Sequence, residues 1–394
     1  MDFKNYLVPG KTGLLIGIGG VSMSPLAEVL HDAGLDIRGS DMAESSNTLT
    51  LRERGIPIHI GHSADNVTDD ISFVIRTAAV HDDNPEVHEA HRRGIPVFER
   101  TQAWGALMRG YQNALCISGT HGKTTTTSMC THIMMAAEKD PTVMIGGTLP
   151  LLKACHRVGK GNTIIMESCE YYNSFLALNP TIAVVLNIEA DHLDFFKDLE
   201  DIKHSFRCFA ERVPAETGTV IANYDDANTM DALRGIARKV ITFGLNAKAD
   251  VYAQNIVHRG SVSEFDIYHR GNYFARVTLH VPGIHNVRNA LAATAAAIVL
   301  GVSPNAVKYG LAGFEGAGRR FDFKGKFQGA DLYDDYAHHP SELRALLDAV
   351  DTLNYQRTIV VFQLHTYSRT AKLFNDCLLY TSPSTRDISG SRMP

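Results

Sequence analysis

No apolar run in the sequence approaches the roughly 18 residues that a membrane-spanning helix requires. The N-terminus also lacks the basic region, apolar stretch and small-residue cleavage site of a secretory signal. Six cysteines are present (Cys116, Cys130, Cys155, Cys169, Cys208 and Cys377), but no C-x-x-C pair. Their spacing fits neither a zinc ribbon nor a disulfide framework, so reduced thiols in a cytoplasmic protein are expected. Blocks of Lys and Arg are missing too, and the formal net charge is −5. A duplex nucleic-acid partner is therefore not expected. Any anionic ligand must be held by local groups rather than by a field of the whole surface.

What is there is ordinary globular material: 44% hydrophobic and 21% charged residues over 394 positions. That is enough for two or three domains, each with its own core. Residues 13 to about 112 alternate short apolar runs with helical stretches. Strands are expected at Gly13–Gly17, Leu35–Ser40 and Phe73–Ala78, with a helix at Ser22–Ala33. Strand, glycine turn, helix, strand is the pattern of a parallel α/β sheet. A second unit opens at Ala114–Ser118. It continues with a helix from Lys123 to about Ala137 and buried strands at Thr163–Met166, Ile182–Leu186 and Thr219–Ile221. Alternation of polar and apolar residues around Gly260 and Gly271 predicts antiparallel hairpins over Ala249–Val281. Helices are expected at Asn286–Leu300 and Pro304–Gly310. A third unit starts near Gly318, with strands expected at Leu332–Asp334 and Arg357–Phe362 around a helix from Pro340 to about Val350.

The strongest motif is GTHGKTTTT, Gly119–Thr127, between a predicted strand and a predicted helix. Free N–H groups and the dipole of a helix N-terminus favour phosphate there. Gly119, Thr120, His121, Gly122 and Thr125 would shape the loop, Lys123 would reach the outer phosphates, and the Thr124 hydroxyl would bind magnesium. Ile117 stands where the usual P-loop has its first glycine, so this loop is a shorter relative. The second motif is GIGGVSMS, Gly17–Ser24, with Asp41 further on. It misses the dinucleotide fingerprint at Ser22 and suits any pyrophosphate, including that of a sugar nucleotide.

ESCEYYNSFL (Glu167–Leu176) and NIEADHLD (Asn187–Asp194) each follow a buried strand, where ligands of open α/β sheets bind. Carboxylates at Glu167 and Glu170 could hold magnesium, or could be surface acids. His192 could be a ligand or a structural histidine. HNVRNALAA carries Asn289, whose amide could read adenine or cap a helix. GAGRRF offers Arg319 and Arg320, whose forked, permanently charged donors suit a transferring phosphoryl group. DDYAHHPSE (Asp334–Glu342) and FQLHTYSRT (Phe362–Thr370) both end expected strands. They would place His338, His365 and Arg369 at the edge of one sheet.

This set, in this order over about Thr12–Asp376, resembles the Mur ligase family, and within it the branch that adds L-alanine to UDP-N-acetylmuramate. The resemblance implies a three-domain α/β architecture. It would comprise a Rossmann-like UDP-sugar domain (1–112), a central P-loop ATPase domain (113–316) and a Rossmann-like C-terminal domain (317–376). It implies ATP and Mg²⁺, and a reaction in which the lactyl carboxylate is phosphorylated and the amine of alanine displaces phosphate. Matched position by position, it assigns metal to Thr124, Glu170 and His192, adenine to Asn289, and nucleotide contacts from the third domain to Arg320 and Asp334. Tyr336, His338 and Arg369 fall around the incoming L-alanine, and Gly19, Ser22, Asp41 and Arg100 on the sugar-nucleotide side. Lys123, Glu170, His192, Arg320 and His338 would carry the chemistry.

Departures are Leu364, where the family usually has proline, Thr366 at a position that can be arginine, and Arg76 among small or aromatic residues. From Cys377 the chain reads CLLYTSPSTRDISGSRMP, turn-rich and without helical period. The expectation is an incomplete third domain followed by a non-native tail (377–394), with closure onto alanine impaired. Two rival readings are a ligase that attaches a ready-made tripeptide to the same sugar nucleotide, and a non-catalytic nucleotide sensor.

Overall fold

The computed structural model describes residues 2–77 and 79–363. The expectations for His365, Arg369 and the segment from Cys377 fall outside the described residues. The first unit runs β1 (Thr12–Ile16), α1 (Ser24–Asp32), β2 (Asp36–Asp41), α2 (Ser46–Glu53), β3 (Ile58–Ile60), β4 (Ile71–Arg76), α3 (Pro85–Arg92), β5 (Val97–Glu99) and α4 (Arg100–Met108). Its five strands are parallel in the order β3-β2-β1-β4-β5. The chain reverses direction across the sheet between β1 and β4, and β1 delivers the Gly17–Gly20 turn to that crevice. β1 is buried at every position, as a strand covered on both faces must be.

The central unit runs β6 (Asn113–Ser118), α5 (Lys123–Ala136), β7 (Thr142–Leu149), β8 (Ala154–Arg157), β9 (Thr163–Glu167), β10 (Ile182–Val185), α6 (Leu199–Glu211), β11 (Thr219–Asn223), α7 (Ala227–Ala232) and β12 (Lys239–Gly244). It closes with β13 (Val251–Arg259), β14 (Val262–His269), β15 (Asn272–Leu279), α8 (Ile284–Val299) and α9 (Pro304–Ala312). Its sheet has ten strands, ordered β15-β14-β13-β12-β11-β10-β6-β9-β7-β8. The expected hairpins are β13 to β15, paired antiparallel. β6 lies between β10 and β9, so the loop after it opens where the neighbouring connections diverge, the usual ligand position of such sheets. The alanine-rich face of α8 and the small residues of α5 pack over this sheet, with Leu291, Ala295, Met129 and Ile133 fully buried.

The two units share an apolar core. Trp104 and Met108 of α4 join Phe175, Phe206 and Phe209 of the central unit. Gly105 permits this contact, because a Cβ there would stand 2.0 Å from the Ala177 carbonyl oxygen. Asn179 then donates to the Gly105 carbonyl at 2.7 Å.

In the third unit the described residues form an antiparallel hairpin, β16 (Asp322–Phe327) and β17 (Ala330–Asp334), followed by α10 (Pro340–Asp351). The expected strand at Arg357–Phe362 is corrected: residues 357–362 have no strand. Ile359 and Val361 are largely exposed, and no described strand lies alongside to supply ladder hydrogen bonds. β-branched composition favours a strand only where a partner exists. No helix among the described residues is long and apolar enough to cross a membrane.

Candidate active site

The Gly119–Thr125 loop is built by glycine where L-residues would fail. Gly122 caps α5 in the left-handed region (φ +83°), and a Cβ there would lie 2.6 Å from Asn289 Oδ1. Gly119 (φ +142°) is crowded by Leu186 in the same way. The loop is braced from β10: the His121 amide donates to Asn187 Oδ1 at 2.8 Å, and Asn187 Nδ2 returns a bond to the His121 carbonyl at 3.1 Å. Thr120 Oγ1 accepts from the Glu189 amide at 2.9 Å. Sequence reasoning passed over Asn187 and Glu189. The signal was the sheet order, which sets the NIE segment beside the GTHG loop.

Lys123 Nζ donates to the Gly119 carbonyl at 2.5 Å and the Thr120 carbonyl at 3.1 Å, and meets the Glu170 carboxylate at 3.0 and 3.2 Å. Burial alone would lower the Lys123 pKa; the adjacent Glu170 charge outweighs it and raises it. Thr124 Oγ1 donates to Glu167 at 3.0 Å, and Glu167 also accepts from the Gly146 amide at 2.7 Å. His192 Nε2 lies 3.9 Å from Glu170 Oε1, and its ring stacks on Tyr171 at 4.3 Å. Thr124, Glu167, Glu170 and His192 thus form one cluster around the Lys123 amine.

A cavity of about 790 Å³ extends from this cluster. One end reaches Val21 and Asn47, beside the first glycine turn; the other reaches Arg319, Arg320, Tyr336 and His338 of the third unit. At the first end, the Gly19 amide donates to Asp41 at 2.8 Å and Asn47 donates to the Gly19 carbonyl at 2.8 Å. Arg100 is hydrogen-bonded to the Ser22 hydroxyl, and burial lowers its pKa. These four residues, Gly19, Ser22, Asp41 and Arg100, shape the turn behind the cavity wall. At the other end, Arg319 and Arg320 lie over the Tyr336 ring at 4.8 and 5.5 Å.

A second cavity of about 410 Å³ lies on the opposite side of the phosphate loop. Asn289, Thr125, His285 and Arg320 line it, and Ala345 and Leu346 of α10 cover it. Burial pushes the His285 pKa down to about 4, so its ring is neutral at pH 7. Asp334 lies off the walls of both cavities, 3.4 Å from Arg319; its neighbour Asp335 faces the second cavity and holds the Phe321 and Ala337 amides, each at 2.7 Å.

Three family models match the chain: the Mur ligase family catalytic domain over residues 15–112, the Mur ligase middle domain over 117–297, and the Mur ligase glutamate ligase domain over 319–389. The chain belongs to the Mur ligase family. A UDP-N-acetylmuramate–L-alanine ligase of Agathobacter rectalis is 46% identical over 362 residues, 92% of this chain and 79% of that protein. The solved UDP-N-acetylmuramate-alanine ligase of Thermotoga maritima is 30% identical, with a TM-score of 0.76 over 92% of this chain and 83% of that one. The UDP-N-acetylmuramate:L-alanyl-gamma-D-glutamyl-meso-diaminopimelate ligase of Neisseria meningitides is 26% identical, with a TM-score of 0.70 over 78% of this chain and 99% of that one. The α/β sheets described above are the frame of this Mur ligase.

Proposed function

We propose that the protein joins L-alanine to the lactyl carboxylate of UDP-N-acetylmuramate at the expense of ATP, as part of cell-wall precursor synthesis in the cytoplasm. The observation that carries this reading is the one cavity lined by Lys123 and Thr124 of the Gly119–Thr125 loop and by Tyr336 and His338, which also reaches Val21, next to the Gly17–Gly20 turn. Identity of 46% to a relative of that named activity supports the choice of substrates. The reading divides the chain into a sugar-nucleotide domain (1–112), a nucleotide domain (113–316) and an amino-acid domain (317–376).

In this reading the adenine of ATP enters the second cavity beside Asn289, with its phosphates on the Gly119–Thr125 loop. The donor set fits Mg²⁺: Thr124, Glu167 and Glu170 offer hard oxygens in one cluster, with His192 at its edge. Magnesium would supply charge neutralisation at the phosphate oxygens. Lys123, held protonated by Glu170, adds positive charge at the same place, and Arg320 approaches from the third unit. A carboxylate resists amines at neutral pH; an acyl phosphate supplies the leaving group. Tyr336 and His338, which line the same cavity, would orient the incoming amine, and α10 would shield the nucleotide side from water.

Phosphate release from ATP and UDP-N-acetylmuramate, measured with L-alanine or with the tripeptide L-alanyl-γ-D-glutamyl-diaminopimelate, tests the reading. Release dependent on alanine supports it. Release dependent on the tripeptide alone favours the second reading, which rests on the likeness to the Neisseria enzyme. Nucleotide binding without turnover on either would favour a sensor.

A further inference from the structure

Outside the cluster around Lys123, three ligand-bearing side chains converge where the third unit meets the phosphate loop. His121 Nε2 lies 3.4 Å from Glu189 Oε2, and the same oxygen lies 3.7 Å from His339 Nδ1. One ligand atom from each of the three falls within 4.8 Å of the other two. We propose that His121, Glu189 and His339 form a binding site for a zinc-like divalent cation that ties the phosphate loop to the start of α10.

The geometry suits such an ion. Tetrahedral zinc bonds of about 2.0–2.1 Å hold neighbouring ligand atoms about 3.3–3.4 Å apart. Two of the separations, 3.4 and 3.7 Å, stand close to that already, and the third pair lies within 4.8 Å. Each ligand is held by its own backbone. The His121 amide is bound to Asn187 and the Glu189 amide to Thr120, while His339 is the buried N-cap residue of α10. Ser341 Oγ is hydrogen-bonded to both ligand nitrogens, 2.9 Å from His121 Nε2 and 2.7 Å from His339 Nδ1, so an ion entering the site displaces that hydroxyl.

A cation also suits the charge at this site. Burial would lower the His121 pKa, but Glu189 and Glu342 outweigh it and raise it to about 9, so a proton holds the centre together. His339 stays neutral, its pKa lowered by burial and by the His121 charge, and its Nδ1 pair accepts from Ser341. A divalent ion would replace the His121 proton and satisfy the same carboxylates. Two imidazoles and one carboxylate are a zinc donor set, whereas the oxygen-rich cluster at Thr124, Glu167 and Glu170 suits magnesium, so the two sites select different ions. A bound ion would pin α10 to the loop and so inhibit any cycle that needs the third unit to open.

The test is a cobalt(II) titration of the full chain in excess magnesium, read by visible absorption and followed by zinc displacement. One equivalent of cobalt should give the intense absorption of a tetrahedral site without a sulfur charge-transfer band. Glu189→Gln and His339→Gln should each weaken binding at least about tenfold, since losing even an outer-shell partner of a metal site costs roughly 10- to 100-fold. His339→Gln also alters the cap of α10; Glu189→Gln does not, and must show the same loss. Glu170→Gln should leave the cobalt spectrum unchanged. A missing tetrahedral band, a sulfur charge-transfer band, wild-type binding in either variant, or loss in Glu170→Gln would each overturn the site.

Discussion

Glu342 at the start of α10 and His121 in the phosphate loop, 221 residues apart, are joined by a hydrogen bond of 3.2 Å. The other Glu342 oxygen accepts from the amides of His338 and His339 at 3.0 and 3.2 Å. Burial would raise the Glu342 pKa, but the bond and charge of His121 hold it well below the usual carboxylate range. One carboxylate thus fixes both the loop that would hold phosphate and the loop that would orient the amine. Hydrogen bonds to charged groups contribute about 1.5–3 kcal/mol, so Glu342→Gln should lower kcat/KM for both ATP and alanine roughly 10- to 100-fold. A loss confined to one substrate in steady-state kinetics would contradict the shared role.

Lys123→Met should abolish most ligation, by roughly 10²–10³-fold, while leaving UDP-sugar binding intact. The glycine turn that would hold the sugar nucleotide is on another sheet. The variant also strands Glu170, which is 2% exposed, at a cost of about 3–5 kcal/mol. Adding Glu170→Gln should restore stability but not activity. Calorimetry with each ligand and denaturant unfolding separate the outcomes; joint loss of both ligands in a folded variant would refute the two-site assignment.

Glu170→Ala should reduce turnover more than Glu167→Ala. Glu170 meets both Lys123 and the edge of His192, whereas Glu167 contacts the Thr124 hydroxyl and one backbone amide. Magnesium titrations should show Glu167→Ala partly rescued by excess metal. Equal, unrescued losses in the two variants would remove the distinction.

Gly122→Ala and Gly55→Ala form a matched pair. Both glycines are left-handed, at φ +83° and +85°, so alanine costs roughly 1–2 kcal/mol of strain at either. Only at Gly122 does the added methyl strike Asn289; Gly55 faces open space. ATP affinity should fall in the first variant alone. Similar nucleotide affinity in both would show that the loop tolerates the displacement.

His156 of β8 meets Glu28 of α1 at 3.2 Å, across the junction of the first two units. Burial would lower the His156 pKa, but its bonds to Cys155 and Glu28 outweigh this and raise it to about 9. Its folded value lies above the unfolded value of about 6.5. The bond's contribution is therefore full below about pH 6.5 and lost as pH rises through about 9. Thermal melts should show His156→Gln lowering Tm by about 2–4 °C at pH 6.5 and by almost nothing at pH 9.5. A decrement independent of pH would assign the effect to packing.

The Gly119–Thr125 loop and the start of α5 were legible because glycine, lysine and threonine at the end of an apolar strand admit few readings. β1, β6 and α5 fell within one or two residues of their expected limits, since buried parallel strands are continuous apolar runs and a glycine turn marks the helix start. β16 stayed hidden because its sequence, DFKGKF, is short, charged and half exposed, and only β17 beside it makes it a strand. The converse held for residues 357–362, strand-like in composition but lacking a described partner. The sequence determined by itself that a glycine loop opening α5, a second glycine turn and a paired-arginine loop exist, because local backbone geometry selects those residue types. Only the tertiary structure decided that Asn187 braces the loop, that Glu342 reaches His121, and that His339 meets Glu189. Those contacts depend on strand order and on where α10 lands, and neither leaves a local periodic trace.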